Sequence, residues 1–315
     1  MMDAAVIITG PTGAVGIALI NKLIQEGIYV YAVVRPESRR IQNIPIHPQV
    51  EIIRSDLSNL PQIKDMITRN CSVFFHLGWD GTFGDSRDDM YLQNKNVEYA
   101  LTAVDLANDL GCTTFIGIGS QAEYGRVGCK LSGNTPVRPE TGYGIAKYCA
   151  GRMTQILCRK YNIRHIWVRI LSVYGPYDGE KTMVVSSIAK LLNGEKVLFT
   201  KGEQIWDFVY SVDAAEALYL LSQYGIDGKT YCLGSGNGVP LADYINIIHD
   251  VVNPEVSLGL GEIPYSQNQV MYLCADISEL QKDTGFMPHT SFHDGIKQTK
   301  EWYEKSKFKN HPINQ

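Results

Sequence analysis

Ten residues in, the chain reads "VIITGPTGAVG" (residues 6–16), with Gly10, Gly13 and Gly16 spaced three apart between a β-branched apolar run and an amphipathic stretch. Few features restrict a fold more. A strand that turns directly into a helix needs a positive φ in the turn, a backbone that can approach a ligand closely, and a helix packed tightly on its strand. A side chain obstructs each of these. The helix start then presents free N–H groups and its positive dipole end, an arrangement suited to a diphosphate. The spacing therefore predicts a dinucleotide-binding strand–turn–helix; the alternative is a glycine-rich turn without a ligand.

The rest of the chain continues the rhythm. Short apolar runs at 4–9, 29–34, 50–54, 72–77, 113–119 and 165–171 read as buried strands, and "GIALINKLIQEG" and "NVEYALTAVDLANDLG" read as helices ending on a glycine. Six strands separated by helical stretches imply an α/β fold, a doubly wound parallel sheet of the Rossmann type. Beyond Leu171 the pattern loosens to a helix near 184–193, short strands near 197–200 and 208–210, a helix over 212–223 and a strand in "TYCLGS". We expect residues 1–170, with 207–234 returning to them, to form the dinucleotide domain. Residues 171–206 and 235–315 would form a smaller α/β substrate domain, ending in a loose polar tail from about Lys307.

Composition narrows the partners. The 315 residues carry 29 basic and 33 acidic side chains, a net charge of −4, so nothing suggests a surface built for nucleic acid. Seven cysteines without a C-x-x-C pair suggest reduced thiols and no metal site, and no apolar run approaches membrane-spanning length. The cytoplasm is the expected location.

Which dinucleotide binds depends on the end of the second strand, where an acid usually meets a ribose 2′-hydroxyl. Here Val34 takes that place and Arg35 follows, with Arg39 and Arg40 nearby, which favours NADP(H). Glu37 leaves NAD possible. Further on, "ETGYGIAKYCAG" places Tyr143 and Lys147 one helical turn apart, and Ser120 ends a strand. A tyrosine is a weak acid-base group at neutral pH unless a neighbouring cation favours its phenolate, which is the part Lys147 can play. The loop "GWDGTFG" (78–84) lies at the strand ends, where open α/β sheets bind ligands, and reads as a flexible cover. His76 and Cys149 read as structural.

Over nearly its whole length the sequence resembles the extended short-chain dehydrogenase/reductase family of nucleotide-sugar epimerases, dehydratases and reductases. The resemblance rests on the glycine motif, "SDL", "HLG", "YGIAK", "VRILSVYGP", "WDFVYSVDAAEAL" and "ADISELQKDTGFMP". It implies that Ser120, Tyr143 and Lys147 are catalytic. It places Gly10, Thr12, Gly13, Gly16, Arg35, Asp56, Leu57, Leu77, Gly78, Asn96, Tyr143 and Lys147 at the cofactor, and Trp79, Gln121, Lys181 and Trp206 at a nucleotide-sugar substrate. It also implies a homodimer through two long helices.

Departures from the family pattern refine the expectation. The acid–base pair of the 4,6-dehydratases is replaced by Gln121 and Ala122, with Glu123 one place late, which speaks against dehydration. The arginine common before the "DF" pair is Trp206, leaving Lys181 as a candidate for the diphosphate. The sequence thus points first to an NADP(H)-dependent reductase of a 4-keto nucleotide-linked hexose. A nucleotide-sugar 4-epimerase comes second and a non-catalytic dinucleotide sensor third.

Overall fold

A computed structural model describes residues 5–310. The strands β1 (Ala5–Thr9), β2 (Tyr29–Val34), β3 (Val50–Arg54), β4 (Cys71–His76), β5 (Thr114–Ser120) and β6 (Arg164–Ile170) fall where the apolar runs place them, within a residue at the ends. A seventh strand, Thr230–Leu233, joins them beside β6, so the sheet is one strand wider than the six apolar runs predict. The order is Thr230–Leu233, β6, β5, β4, β1, β2, β3, all parallel. The chain reverses direction of travel across the sheet between β1 and β4, which opens a crevice at their C-terminal ends.

Strand periodicity divides the core into two layers. Val6 and Ile8 face one layer, where α1 (Ala14–Gln25) packs on α5 (Ser211–Tyr224). Ala5 and Ile7 face the other, which contains residues of α2 (Met90–Asp109) and α3 (Gly142–Tyr161). α1 stops as its glycine predicts: Gly27 has φ +73°, and the Ile28 N–H returns to the Leu23 carbonyl at 2.9 Å. On the lower layer, His76, Phe115, His165 and Trp167 form a column of rings with successive centroids 6.1, 6.0 and 6.2 Å apart. Burial holds both histidines neutral, His76 pushed down to about 3 and His165 to about 4.

A third apolar cluster lies outside the sheet. It gathers Tyr174, Ile188, Leu191, Ile245, Ile248 and Ile296 from α4 (Met183–Leu192), α6 (Leu241–Val252) and the helix Phe292–Asn310 with the short strands around them. Asp207, fully buried, ties this part together by accepting from the backbone N–H groups of Ser235, Gly236 and Ala275 at 2.8–3.1 Å.

Three local expectations shift. α1 begins at Ala14, not Gly16, so Gly16 lies in its first turn. α2 begins at Met90 because Asp89 caps it, accepting from Tyr91 and Leu92 N–H at 3.1 Å. The polar tail expected from Lys307 is still helix through Asn310, and residues 311–315, like Ala4 of the first run, lie outside the described residues.

Candidate active site

The crevice between β1 and β4 is a cleft of about 280 Å³ lined by Gly10, Thr12, Gly13, Val34, Arg35, Leu57, Leu77, Gly78 and Trp79 among others. Each glycine serves it differently. Gly10 has φ +68°, and a Cβ there would lie 2.7 Å from the Gly78 nitrogen. A Cβ at Gly16 would lie 2.6 Å from the Pro11 carbonyl oxygen. At Gly13 a Cβ would meet nothing within 4 Å, so the space above it is open. Gly13 is also the N-cap of α1 and offers no side-chain acceptor, whereas Asp89, Thr141 and Thr182 cap α2, α3 and α4. An uncapped helix start beneath open space is what a diphosphate requires, so these residues fit a dinucleotide.

The adenosine end differs from its sequence reading. Val34 and Arg35 do line the cleft, but Arg35 Nη1 lies 3.4 Å from Asp80 Oδ1, so an acid reaches the rim from the β4 loop. Asn96 fixes that acid's backbone: its Oδ1 accepts from Asp80 N–H and its Nδ2 donates to Asp80 C=O, both at 2.9 Å. Asn96 is therefore a buried brace, with a third bond to Leu92 C=O, and not a wall of the cleft. Asp56 stands between the lining residues Ser55 and Leu57 without lining the cleft itself.

Ser120, Tyr143 and Lys147 lie together, although none of them lines the cleft itself. Thr141 caps α3, accepting from Gly144 N–H at 3.1 Å, and the first turns of this helix carry Tyr143 and Lys147, both buried. Lys147 Nζ donates to Ile118 C=O at 2.7 Å and sits 3.8 Å from the centroid of the Trp79 ring, a cation–π contact. Burial lowers the Lys147 ammonium to about 7. Burial also raises Tyr143, opposed first by the Ser120 hydroxyl that hydrogen-bonds to it and then by the positive charge of Arg87. Lys147 lies farther off, 5.9 Å from the ring centroid, whereas the Arg87 guanidinium is at 4.5 Å. The cation nearest the phenol is thus one that the one-turn spacing does not reveal.

The loop over residues 78–84 is braced. Gln93, buried on α2, donates to Gly81 C=O at 2.9 Å and Ser86 C=O at 2.8 Å, and accepts from Trp79 Nε1 at 2.9 Å. This corrects the flexible cover expected from its glycines. Trp79, expected at the sugar, lines the dinucleotide cleft.

A second pocket of about 570 Å³ opens beyond Tyr143, and Gln121, Lys181 and Trp206 share its lining with Arg87, Asp178 and Gln204. Thr82 lines both pockets, and Trp79 of the cleft lies edge-on to Tyr143 with ring centroids 6.1 Å apart, so the two adjoin there. Trp206 Nε1 donates to Ser172 Oγ at 2.8 Å, which sets the indole in the pocket wall. Glu123 is fully buried beneath Ser120. It accepts from Ser120 N–H at 2.9 Å, Trp167 Nε1 at 3.0 Å and Arg169 Nε at 2.7 Å. Both of its oxygens are thus engaged by the scaffold around Ser120.

A sheet, cleft and site of this kind define a dinucleotide-dependent enzyme. The family model for the NAD-dependent epimerase/dehydratase family matches residues 6–234, and the chain belongs to that family. It is 24% identical over 308 residues to a protein of Methanocaldococcus jannaschii provisionally named UDP-glucose 4-epimerase, covering 94% of this chain and 97% of that one. Among solved structures it resembles the UDP-N-acetylglucosamine 4-epimerase of Methanobrevibacter ruminantium in complex with UDP-N-acetylmuramic acid. That likeness has TM-score 0.87 at 22% identity, over 97% of this chain and 100% of that one. It also resembles the dTDP-glucose 4,6-dehydratase of Streptomyces venezuelae with NAD bound, at TM-score 0.84 and 18% identity over 96% and 98%.

Proposed function

We propose that this enzyme is a nucleotide-sugar 4-epimerase that retains a nicotinamide dinucleotide through turnover, with Ser120, Tyr143 and Lys147 as its catalytic set. The observation that carries this is the Ser120 hydroxyl bonded to Tyr143, with Lys147 Nζ 5.9 Å from the same ring, where Tyr143 lines the second pocket and Trp79 of the dinucleotide cleft packs against it. The dinucleotide, held by Gly10, Thr12, Gly13, Gly16, Leu57, Leu77 and Gly78, supplies when bound the two-electron oxidation and reduction at carbon 4 of the sugar. Tyr143, as phenolate, takes the proton of the 4-hydroxyl and returns it when the opposite configuration forms. Ser120 orients the 4-oxygen, and Arg87 favours the charged phenol. Lys147 offers its ammonium donors to the cofactor's ribose. Epimerisation also demands that the sugar offer both faces to the same groups, and the second pocket gives it room between walls that include Leu171, Val173 and Phe208.

In this reading residues 1–170 with 207–234 serve the dinucleotide, and 171–206 with 235–315 serve the sugar, with Gln121, Lys181 and Trp206 among the contacts. NAD is the favoured cofactor because Asp80 both counters Arg35 and restores a carboxylate near the ribose. A 4-keto reductase using NADPH is the second reading, favoured by the Val34–Arg35 pair. Mass spectrometry of dinucleotide released from denatured protein separates them, followed by NMR of UDP- and dTDP-glucose incubated with the enzyme. Retained NAD and interconversion at carbon 4 without net dinucleotide consumption is expected. Protein that lacks retained dinucleotide and consumes NADPH stoichiometrically on a 4-keto sugar transfers the assignment to the reductase.

The working unit we propose is a cytoplasmic homodimer through α2 and α3. Among the described residues no helix is long and apolar enough to cross a membrane. Tyr91, Ile145, Met153 and Ile156 stand exposed on these helices, while Leu157 packs inward. Light scattering at micromolar concentration should give twice the chain mass; a monomer removes the dimer.

A further inference from the structure

Arg87 is a cation that no motif calls for. Its guanidinium lies 4.5 Å from the centroid of the Tyr143 ring and lines the second pocket with it. One N–H donates to Thr82 C=O at 3.2 Å, and no carboxylate among the described residues forms an ion pair with it. The placement is built in from two sides. Gln93 holds Ser86 C=O at 2.8 Å, and Asp88 Oδ1 accepts from Gly142 N–H at 2.8 Å, docking the Arg87 turn onto the residue before Tyr143. The half-buried guanidinium therefore keeps donors free toward the pocket, where an anionic group of a ligand can meet them.

Where that ligand group sits follows from sugar geometry, given the nucleotide-sugar reading above on which this step rests. Tyr143 acts at carbon 4. The diphosphate hangs on carbon 1, across the ring, and Lys181 in the same pocket remains for it. A cation against the Tyr143 ring faces the substituents of the neighbouring carbons instead. We infer that Arg87 is a specificity residue that pairs with a carboxylate on the carbon next to the reacting one, so that the enzyme takes nucleotide-linked acidic sugars of the uronic acid class. The planar fork of arginine suits such a group, since two parallel N–H donors match two carboxylate oxygens.

The test compares glucose with glucuronic acid, each in UDP-linked and dTDP-linked form, on the protein with its retained cofactor. Within each pair the nucleotide is constant, so its contribution cancels. A charge-assisted pair predicts that kcat/KM, or affinity by calorimetry if turnover is slow, favours the acidic sugar by about 10- to 100-fold. Arg87→Met, which keeps the stem, should collapse that ratio to about one, and Arg87→Lys should restore part of it. A general loss of structure would move both sugars together and leave the ratio standing. Equal or better use of the neutral sugar by wild type, or a ratio that survives Arg87→Met, overturns the inference while leaving the epimerase in place. Failure to bind any of the four sugars overturns the nucleotide-sugar reading, and this inference with it.

Discussion

The dinucleotide cleft and the sugar pocket share Thr82 and lie side by side, yet they are made of different materials. The cleft owes its shape to backbone: Gly10 in a left-handed turn, Gly78 pressed against it, Gly13 bare at a helix start. The pocket is shaped by side chains that reach it from many places, with Arg87 from the turn after β4, Gln121 from the end of β5, and Lys181 and Trp206 from the short elements beyond β6. A backbone-built site tolerates almost no added atom but is indifferent to many neighbours. A side-chain-built site can change its ligand by single substitutions while the chain keeps its fold.

The largest effect should appear at the seam between the two. Glu123→Ala strands Arg169, itself buried, together with the Trp167 and Ser120 N–H groups, and should destabilise the protein by about 3–5 kcal/mol in urea unfolding. A loss below about 1 kcal/mol would show that the ion pair is not what holds the two sites in register. Next in size is Tyr143→Phe. It keeps the ring between Trp79 and Arg87 and removes only the hydroxyl, so folding should survive while turnover drops by about 10²-fold or more. Near-normal turnover excludes Tyr143 from proton transfer.

Lys147 gives a pH signature. Its ammonium titrates near 7 in the fold but near 10.5 when unfolded, so between those values the unfolded chain holds a proton that the folded one has lost. Stability of the cofactor-free protein should therefore rise with pH across this window, by up to about 1.4 kcal/mol per pH unit from this one group. The difference in melting temperature between wild type and Lys147→Met, followed from pH 6.5 to 10, isolates it. A pH-independent difference would mean that the lysine is solvated.

The smallest effect sharpens the comparison most. Gly10→Ala forces a Cβ into a left-handed turn, about 1–2 kcal/mol, and against Gly78 as well, so both stability and cofactor affinity should fall. Gly13→Ala adds the same methyl into open space. Its unfolding midpoint should stay close to wild type while dinucleotide affinity, measured by calorimetry, drops. If Gly13→Ala also unfolds early, the open space is not the ligand's.

This contrast explains what could be read in the chain. Strand positions, the glycines and the Tyr143–Lys147 pair are encoded within a few residues, so periodicity and spacing reveal them. Asp80 meets Arg35 from 45 residues away, and Arg87 reaches Tyr143 only because Gln93 and Asp88 fold its turn onto α3. Nothing in the local sequence announces either contact. Asn96 shows the converse: its motif position is legible, but the three hydrogen bonds by which it holds Asp80 and Leu92 are not. The extra strand Thr230–Leu233 was legible as a strand, whereas its place beside β6 depends on the chain's return from the outer elements.

The ring column under the sheet has a practical side. His76 and His165 stay neutral in the fold until about pH 3 and 4, while the same histidines in the unfolded chain accept protons near 6.5. As pH falls below that value the unfolded state gains protons the native state refuses, and native stability declines until the folded values are reached. Acid sensitivity thus begins in mildly acidic buffer, above the range where carboxylates titrate in most proteins. The two histidines thus set a one-sided pH dependence: each unit below about 6.5 should lower the unfolding free energy, whereas neither ring changes charge on the alkaline side.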